Sequence, residues 1–271
     1  KTLTIALAGN PNSGKTTIFN NITGTRQKVG NWPGVTVEKK EGSVTKYGYN
    51  LKVIDLPGTY SLTPFSIEEI VARNYVLDEK PDVVIDIIDA SNLERSLYLA
   101  TQLRELDCKV LFALNMADLA HTRGMKIDDQ KLSELLGVPV VFTVGNKDEG
   151  TDKLLEKTIE LAESQIGSAK VRKVKYSKDI EDSIGRLQQF IQDQTDGALP
   201  YNIRWTAIKL LEDDKIVKER IVENAENNSQ QILQVAQTLR KRLEDLFDDE
   251  PQIVMTDERY GFIAGIIKEV Q

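Results

Sequence analysis

The feature that most constrains this chain is the segment Gly9-Asn10-Pro11-Asn12-Ser13-Gly14-Lys15-Thr16, which matches the pattern G-x-x-x-x-G-K-[ST] in full. The apolar run Leu3–Ala8 before it predicts a strand, and a helical pattern begins near Lys15. Such a loop wraps backbone N–H groups around phosphates at a helix N-terminus. We expect Lys15 to reach the β- and γ-phosphates and the Thr16 hydroxyl to ligate Mg²⁺. A chance match in a glycine-containing turn is the alternative, and the strand–loop–helix context disfavours it. The segment therefore predicts a site for a purine nucleoside triphosphate with magnesium.

The first 166 residues alternate short apolar runs with amphipathic stretches, which is typical of a sheet covered by helices on both faces. Two runs, Glu38–Tyr47 and Asn50–Leu56, meet at Gly48 and predict a hairpin. Three later runs predict further strands: Val83–Asp89, Lys109–Leu114 and Pro139–Val144. Helical patterns lie between or after them: Ile67–Leu77, Glu94–Leu106, Asp128–Leu136 and Thr151–Gln165. The sequence therefore predicts a mostly parallel, six-stranded α/β domain over residues 1–166.

The strand patterns stop near Ala169. We interpret Gly167-Ser168-Ala169-Lys170 as a linker. Beyond it, apolar residues recur at helical spacing: Ile180, Ile184, Leu187 and Ile191, then Ile232, Val235, Leu239, Leu243 and Leu246, then Tyr260, Ile263, Ile266 and Val270. This spacing predicts a small all-helical domain over residues 167–271.

Composition excludes several classes of protein. The net charge of −7 is unlike the basic excess of a nucleic-acid binder. The single cysteine, Cys108, and the single histidine, His121, exclude a disulfide framework and a Cys/His metal cluster. The longest apolar candidate for a membrane span, Val83–Ala90, contains Asp86 and Asp89 and is too short. Because the chain lacks an initiator methionine and stops within a helical pattern, we expect a soluble piece of a longer protein.

Two further motifs end predicted strands. Asp55 in Asp55-Leu56-Pro57-Gly58 can hold magnesium through a water, and the Gly58 amide can contact the γ-phosphate. The alternative for this motif is an ordinary strand-ending turn. Asn115-Met116-Ala117-Asp118 follows a later strand. The Asp118 carboxylate can accept from the ring N–H and the exocyclic amine of guanine, whereas adenine offers no such pair of donors. This four-residue pattern is common by chance, so only its position after a strand supports the prediction of GTP over ATP.

These motifs, in this order and spacing, resemble the TRAFAC-class small GTPases. The string Gly30-Asn31-Trp32-Pro33-Gly34-Val35-Thr36-Val37-Glu38 resembles the first switch of FeoB, the prokaryotic ferrous iron transporter family, and Asp55–Leu62 resembles its second switch. In the helical part, Arg204-Trp205 and Ile208–Glu212 carry the resemblance. It implies a Ras-like G domain followed by a helical domain with the role of a nucleotide-dissociation inhibitor.

Several residue roles follow from the resemblance. Thr36 becomes the switch threonine that ligates Mg²⁺ when the γ-phosphate is present; a strand-favouring threonine is its alternative. Asn12 becomes the side-chain ligand of a K⁺ ion, with carbonyls from Gly30 and Trp32; a turn-forming asparagine is its alternative. Trp32 is expected in an exposed loop, where it either simply packs or takes part in partner recognition. Since Thr59 replaces the water-orienting glutamine of Ras-like enzymes, hydrolysis is expected to be slow.

The base-binding loop after the last strand departs from the family, which usually carries Ser-Ala where Thr143-Val144-Gly145 stands. A backbone N–H of Val144 or Gly145 can still meet the guanine carbonyl, and the glycine is expected to loosen the loop. We assign catalytic roles to Lys15, Thr36, Gly58 and Asn12. The predicted nucleotide contacts are Asn10, Asn12, Ser13, Gly14, Lys15, Thr16, Thr17, Gly34, Val35, Thr36, Asp55, Gly58, Asn115, Met116, Asp118, Thr143, Val144 and Gly145. The predicted metal ligands are Thr16, Thr36 and Asp55 for Mg²⁺, and Asn12, Gly30 and Trp32 for K⁺.

The resemblance implies slow, K⁺-stimulated GTP hydrolysis that drives or gates ferrous iron uptake at the cytoplasmic face of the bacterial inner membrane. The implied partners are a C-terminal transmembrane iron-permease domain, small cytosolic Feo proteins and a second copy of the chain. One alternative is a soluble Era- or TrmE-like GTPase in RNA or ribosome metabolism. That class needs a basic RNA-binding module, which the acidic helical part does not resemble. A second alternative is a nucleotide-gated binding module whose hydrolysis is incidental.

Overall fold

The computed structural model describes residues 1–24, 27–164, 174–195, 199–225 and 228–271. The chain divides into two compact units: unit 1 comprises Lys1–Lys173 and Ile263–Gln271, and unit 2 comprises Val174–Phe262. The predicted domain boundary at 166/167 and its linker lie outside the described residues. None of the helices in the described ranges is long and apolar enough to cross a membrane.

Unit 1 is built on one sheet. Its described strands are β1 (Thr2–Gly9), β2 (Gln27–Asn31), β3 (Glu38–Lys46), β4 (Tyr49–Asp55), β5 (Val83–Asp89), β6 (Val110–Asn115) and β7 (Val140–Phe142). Their order is β2-β3-β4-β1-β5-β6-β7. Strands β4, β1, β5, β6 and β7 are parallel, whereas β2–β3 and β3–β4 pair antiparallel. The α/β fold class is therefore confirmed, including the hairpin of β3 and β4.

The sheet has seven described strands, whereas the sequence predicted six. The additional strand, β2, pairs antiparallel with β3 and is almost entirely exposed. Its one large apolar residue, Val29, is 63% exposed. Because backbone pairing rather than side-chain burial holds this edge strand, the periodicity of its residues carries no strand pattern.

Apolar side chains explain how the helices of unit 1 pack. These helices are α1 (Lys15–Thr23), α2 (Ile67–Asn74), α3 (Leu93–Glu105), α4 (Ala117–Thr122), α5 (Asp129–Leu136) and α6 (Thr151–Glu163). Alternate residues of β1, β4 and β5 form one buried cluster with Ile18 and Phe19 of α1 and with Leu154 of α6. Helix α2 begins at Ser66, whose side chain and that of Glu69 form a capping box. The core therefore fixes the carboxyl ends of the parallel strands, where the predicted motifs lie.

Unit 2 contains α7 (Lys178–Thr195), α8 (Ile203–Leu211), α9 (Lys215–Asn224), α10 (Ser229–Phe247) and the first part of α11 (Pro251–Val270). All of its described elements are helical, as predicted. The last nine residues, 263–271, group with unit 1, where the Asp128 N–H donates to the carbonyl of Val270 at 3.0 Å and Lys131 Nζ lies 3.4 Å from Glu269. The extent of the helical domain over residues 167–271 stays a prediction.

A buried group of charges lies between α8 and α11 within unit 2. Lys209 Nζ is 2.7 Å from one carboxylate oxygen of Glu212, and an Arg259 guanidinium nitrogen is 2.6 Å from the other. All three side chains are at most 6% exposed. Burial alone raises the pKa of the Glu212 carboxyl, but the two cations outweigh this and hold it at about 2. Glu212 is therefore ionised and compensates two buried cations.

Candidate nucleotide-binding site

The predicted motifs meet at one edge of the sheet. The phosphate loop follows β1 and Thr143 follows β7, whereas Asp55 and Asn115 are the last residues of β4 and β6. In an open parallel sheet, the crevice at the carboxyl ends of the strands is the usual place for a ligand. The fold therefore brings together sequence motifs that lie more than 100 residues apart.

The phosphate loop leads directly into α1. Gly14 is the N-cap residue of this helix and has φ 86°, which is a left-handed conformation. A Cβ atom added at Gly14 would lie 2.2 Å from Asn115 Nδ2. Both the backbone conformation and the close approach therefore require glycine. Asn12 is also left-handed, with φ 65°, and its side chain is exposed.

Two side-chain atoms of this loop are buried without a hydrogen-bond partner in the described part of the chain, Asn10 Oδ1 and Ser13 Oγ. Buried polar groups are normally paired, so such atoms are typical of a site that binds a polar ligand. The amide nitrogen of Asn10 donates to the carbonyl of Arg95 at 3.4 Å. The asparagine thus links the phosphate loop to the first turn of α3.

Lys15 and Asp55 form a buried ion pair, with side chains 10% and 8% exposed. Just beyond Asp55, the Leu56 N–H donates to the carbonyl of Leu7, and the Thr59 N–H donates to that of Gly9. A Cβ added at Gly58 would lie 3.3 Å from the backbone of Pro11. The segment after β4 is therefore packed directly against the phosphate loop, and the predicted contacts of Asp55 and Gly58 with magnesium and the γ-phosphate stay predictions.

Asn115 joins three loops. Its amide nitrogen donates to the carbonyl of Ser13 at 2.9 Å, and its amide oxygen accepts from the Gly145 N–H at 2.9 Å and from the Thr143 hydroxyl at 3.2 Å. The Gly145 carbonyl accepts in turn from the side chain of Asn21. Both peptide groups of Gly145 are therefore held by hydrogen bonds, whereas the sequence suggested a loosened loop.

A cavity of about 430 Å³ opens beside these loops. Its lining includes Gly14, Asn115, Met116, Asp118 and Gly145. A left-handed Met116, with φ 58°, starts α4 and places Asp118 in the first turn of that helix. The cavity lies where the sequence predicted the guanine base.

Asp118 carries two local partners. Its Oδ1 accepts from the Leu119 N–H at 2.9 Å, and its Oδ2 lies 3.0 Å from Lys147 Nζ. The Lys147 ammonium is the main reason why the pKa of Asp118 lies below its usual value, and Asp118 raises the pKa of Lys147. Sequence reasoning missed Lys147, because it lies 29 positions away from its partner in a different loop.

The first-switch segment contains one buried aromatic side chain. Trp32 is buried, and its ring meets Tyr75 edge-on at 5.4 Å, so the structure favours the packing alternative over an exposed tryptophan. The Trp32 carbonyl accepts from the Val35 N–H at 3.2 Å, and Gly30 faces Lys39 in the β2–β3 ladder. Thr36 is exposed on the loop between these strands. The assignments of Gly30, Trp32 and Thr36 as metal ligands, and of Gly34 and Val35 as nucleotide contacts, stay predictions.

A second pair that sequence reasoning missed lies beside the second switch. The guanidinium of Arg95 stacks over the ring of Tyr60, 4.1 Å from its centroid. A cation–π contact of this kind cannot be read from sequence spacing, because Tyr60 and Arg95 are 35 positions apart.

A mostly parallel sheet with this phosphate loop, and with an aspartate in the first turn of α4 beside a base-sized cavity, defines a P-loop protein of the Ras-like G-domain class. The family described as "Ferrous iron transport protein B" matches residues 3–158, and "FeoB cytosolic helical domain" matches residues 176–271. This chain belongs to the FeoB family.

Curated relatives are similar along the whole chain. The Fe(2+) transporter FeoB of Methanocaldococcus jannaschii is 45% identical over 276 residues, covering 100% of this chain and 39% of the relative. That of Salmonella typhimurium is 40% identical over 272 residues, covering 98% and 33%. A Porphyromonas gingivalis protein described as an "Fe(2+) transport protein A/Fe(2+) transporter FeoB fusion protein" is also 40% identical, covering 98% and 32%. The chain therefore spans about a third of the length of these relatives.

Solved structures match with similar coverage. A variant of S. thermophilus NFeoB bound to mGDP is 39% identical with a TM-score of 0.89, and each chain is covered completely. The cytosolic domain of the T. maritima FeoB iron transporter in a GMPPNP form is 37% identical with a TM-score of 0.82, covering 99% of this chain and 98% of that one.

Proposed function

We propose that this chain binds GTP and hydrolyses it slowly, as the nucleotide-dependent part of a ferrous iron uptake protein. The observation that carries the proposal is the meeting of Lys15, Asp55 and Asp118 at one edge of the sheet. Relatives crystallised with GDP or GMPPNP support the choice of nucleotide. The chain's own residues supply the phosphate site and the base site.

The phosphates bind at the N-terminus of α1, where backbone N–H groups and the partial positive charge of the helix face them. Lys15 turns from Asp55 towards the β- and γ-phosphates, because the triphosphate carries more negative charge than one carboxylate. The Gly58 N–H contacts the γ-phosphate from the segment packed against Pro11. Asp118 accepts from the two adjacent donors of guanine and sets base specificity.

The residues present fit a magnesium ion, because hydroxyl and carboxylate oxygens are its preferred ligands and Thr16 and Asp55 supply both beside the phosphate loop. Thr36 would complete the set. When bound, Mg²⁺ offsets charge on the phosphate oxygens. Asn12 fits K⁺ less specifically: its exposed side-chain oxygen is a suitable ligand, but its left-handed conformation also suits a plain turn.

Slow hydrolysis follows from Thr59. Its side chain is 4% exposed and its N–H is bound to the Gly9 carbonyl, so it is poorly suited to orient an attacking water in the way a longer glutamine does. A cation held by Asn12 would compensate by stabilising charge in the transition state.

The remaining assignments concern the whole protein. The helical domain, drawn at residues 167–271, acts as a dissociation inhibitor that responds to the switches. We propose that a transmembrane iron-permease domain lies outside this chain and receives the signal at the cytoplasmic face of the membrane; the curated relatives are about three times as long as the chain, which leaves room for it. Small cytosolic Feo proteins and a second copy of the chain are further proposed partners.

Single-turnover hydrolysis of GTP in K⁺ and in Na⁺ tests the proposal. We expect GTP cleavage with faster turnover in K⁺, and we expect Asn12→Ala to remove the difference between the two ions. Asn224→Ala, at the exposed end of α9, is the matched control and should keep the acceleration. Absence of GTP cleavage in both salts would refute the proposal that the chain is a GTPase. Equal rates in both salts would refute the role of Asn12 alone.

A further inference from the structure

The ion pair between Lys147 and Asp118 uses an atom that guanine also needs. Recognition of the ring N–H and the exocyclic amine requires both carboxylate oxygens of Asp118. Oδ2 holds the Lys147 ammonium at 3.0 Å, and Oδ1 takes the Leu119 N–H. A charged donor is a stronger partner for a carboxylate than a neutral N–H group. Because each carboxylate oxygen can accept more than one hydrogen bond, guanine either shares Oδ2 with the Lys147 ammonium or displaces it, and in both cases the Lys147–Asp118 contact is weakened.

We propose that Lys147 is a specificity-determining residue that competes with guanine for Asp118. The inference rests on the proposed function, because it presumes that guanine binds in the cavity lined by Asp118. A contact that is weakened or lost on binding stabilises the protein without the base, and nucleotide affinity falls by the same free energy. Lys147 thus lowers the affinity for guanine nucleotides and promotes their release.

The position of Lys147 is built into the site. It ends the short turn Gly145–Lys147, whose first N–H is held by the side chain of Asn115. The neighbouring Asn146 lines the base cavity. The turn therefore keeps the lysine within reach of Asp118 through the same asparagine that binds the phosphate loop.

The competition applies only to bases that engage Asp118. Adenine lacks the pair of adjacent donors and can enter without breaking the ion pair, so Lys147 should not affect its binding. Side chains of Lys147 and Asp118 are 51% and 37% exposed, and exposed pairs are weak. We therefore expect about a two- to fivefold effect on the dissociation constant for GDP, declining with added salt.

Lys147→Met removes the charge and keeps the length of the side chain, whereas Lys147→Arg keeps the cation. The matched control is Lys46→Met, which breaks another exposed lysine–aspartate pair, with Asp152, outside the site. The dissociation constants for GDP and ADP are measured by calorimetry at 50 and 500 mM NaCl.

We expect Lys147→Met to bind GDP about two- to fivefold more tightly at low salt, with a smaller gain at high salt and no change for ADP. Lys147→Arg and Lys46→Met should match the wild type. An unchanged or weaker GDP affinity in Lys147→Met, or an equal gain for ADP, would overturn the role of Lys147. If the wild type bound no GDP, the proposed function itself would fail.

Discussion

Asp86 offers a test of how burial controls stability. It lies in the middle of β5, is 1% exposed, and faces Ala8 and Phe112 in the neighbouring strands. Its Oδ2 has no hydrogen-bond partner in the described part of the chain. Because burial disfavours the ionised form, the pKa of this carboxyl rises to about 8. At neutral pH, Asp86 is therefore mostly protonated in the folded protein.

The free energy of unfolding follows from this shift. Between the unfolded pKa of about 3.9 and the folded pKa of about 8, the folded state binds one more proton than the unfolded state. The contribution of Asp86 to the free energy of unfolding is fully present below the unfolded pKa. It is lost as the pH rises above that pKa, at about 1.4 kcal/mol per pH unit. The loss ends near the folded pKa and totals about 6 kcal/mol.

Asp86→Asn removes the titration but leaves a side chain of the same shape. Unfolding by urea is measured between pH 5 and 9 in a Trp205→Phe background, so that Trp32 reports on unit 1. We expect the stability of Asp86→Asn relative to the parent to increase by about 1.4 kcal/mol per pH unit and to level off near pH 8. An unpaired amide shifts this difference by a constant and does not alter its slope.

The control is Asp82→Asn, at an exposed position just before the same strand. Asp82 accepts a hydrogen bond from the Thr4 N–H at 2.7 Å, and an asparagine oxygen can still accept it. If the pH profile of Asp86→Asn ran parallel to the parent profile, the carboxyl would be ionised in the folded protein and the reasoning would be wrong.

Two further predictions concern the phosphate loop and unit 2. Gly14→Ala should weaken GDP binding by more than tenfold in a fluorescence titration, because its Cβ would lie 2.2 Å from Asn115 Nδ2; Gly185→Ala, where the Cβ meets open space, should bind normally. Glu212→Gln should destabilise unit 2 by about 3 to 5 kcal/mol in urea, since it leaves two buried cations uncompensated. Because the pKa of the Glu212 carboxyl is lowered to about 2, its contribution to the free energy of unfolding is present above about pH 4.5 and is lost as the pH falls towards 2. A stability of unit 2 that did not change between these pH values would contradict this.

Hydrophobic periodicity predicted most of the described elements that bury an apolar face, but it missed α9, which buries Val217 and Ile221. Strand β5 agreed at both ends with the predicted run, and helix α5 began one residue later than predicted. Strand β2 was not predicted, because its side chains are exposed and its backbone pairing leaves no pattern in the sequence. The short helix α4 was not predicted either, because six residues make too few helical turns for a hydrophobic periodicity to be visible.

Some features of the candidate site could likewise be predicted from the sequence, and others could not. Features that depend only on neighbouring residues in the chain, such as the turn at Gly14 and the aspartate that ends β4, could be predicted from motifs. The packing partner of Trp32 could not, because Tyr75 lies 43 positions later in the chain. Contacts of this kind arise only when the fold brings separate segments together.

Charge pairing shows why overall composition is a poor guide to the ligand. The chain has a net charge of −7, which by itself disfavours an anionic ligand. Within the site, however, each key carboxylate has a lysine beside it: Asp55 pairs with Lys15, and Asp118 pairs with Lys147. A triphosphate can therefore approach Asp55 without facing an uncompensated charge, and Lys15 needs only to change partner. Because Lys15 then leaves Asp55 next to the phosphates, a cation beside that carboxylate becomes favourable. The binding of nucleotide and of Mg²⁺ should consequently depend on each other through this one lysine.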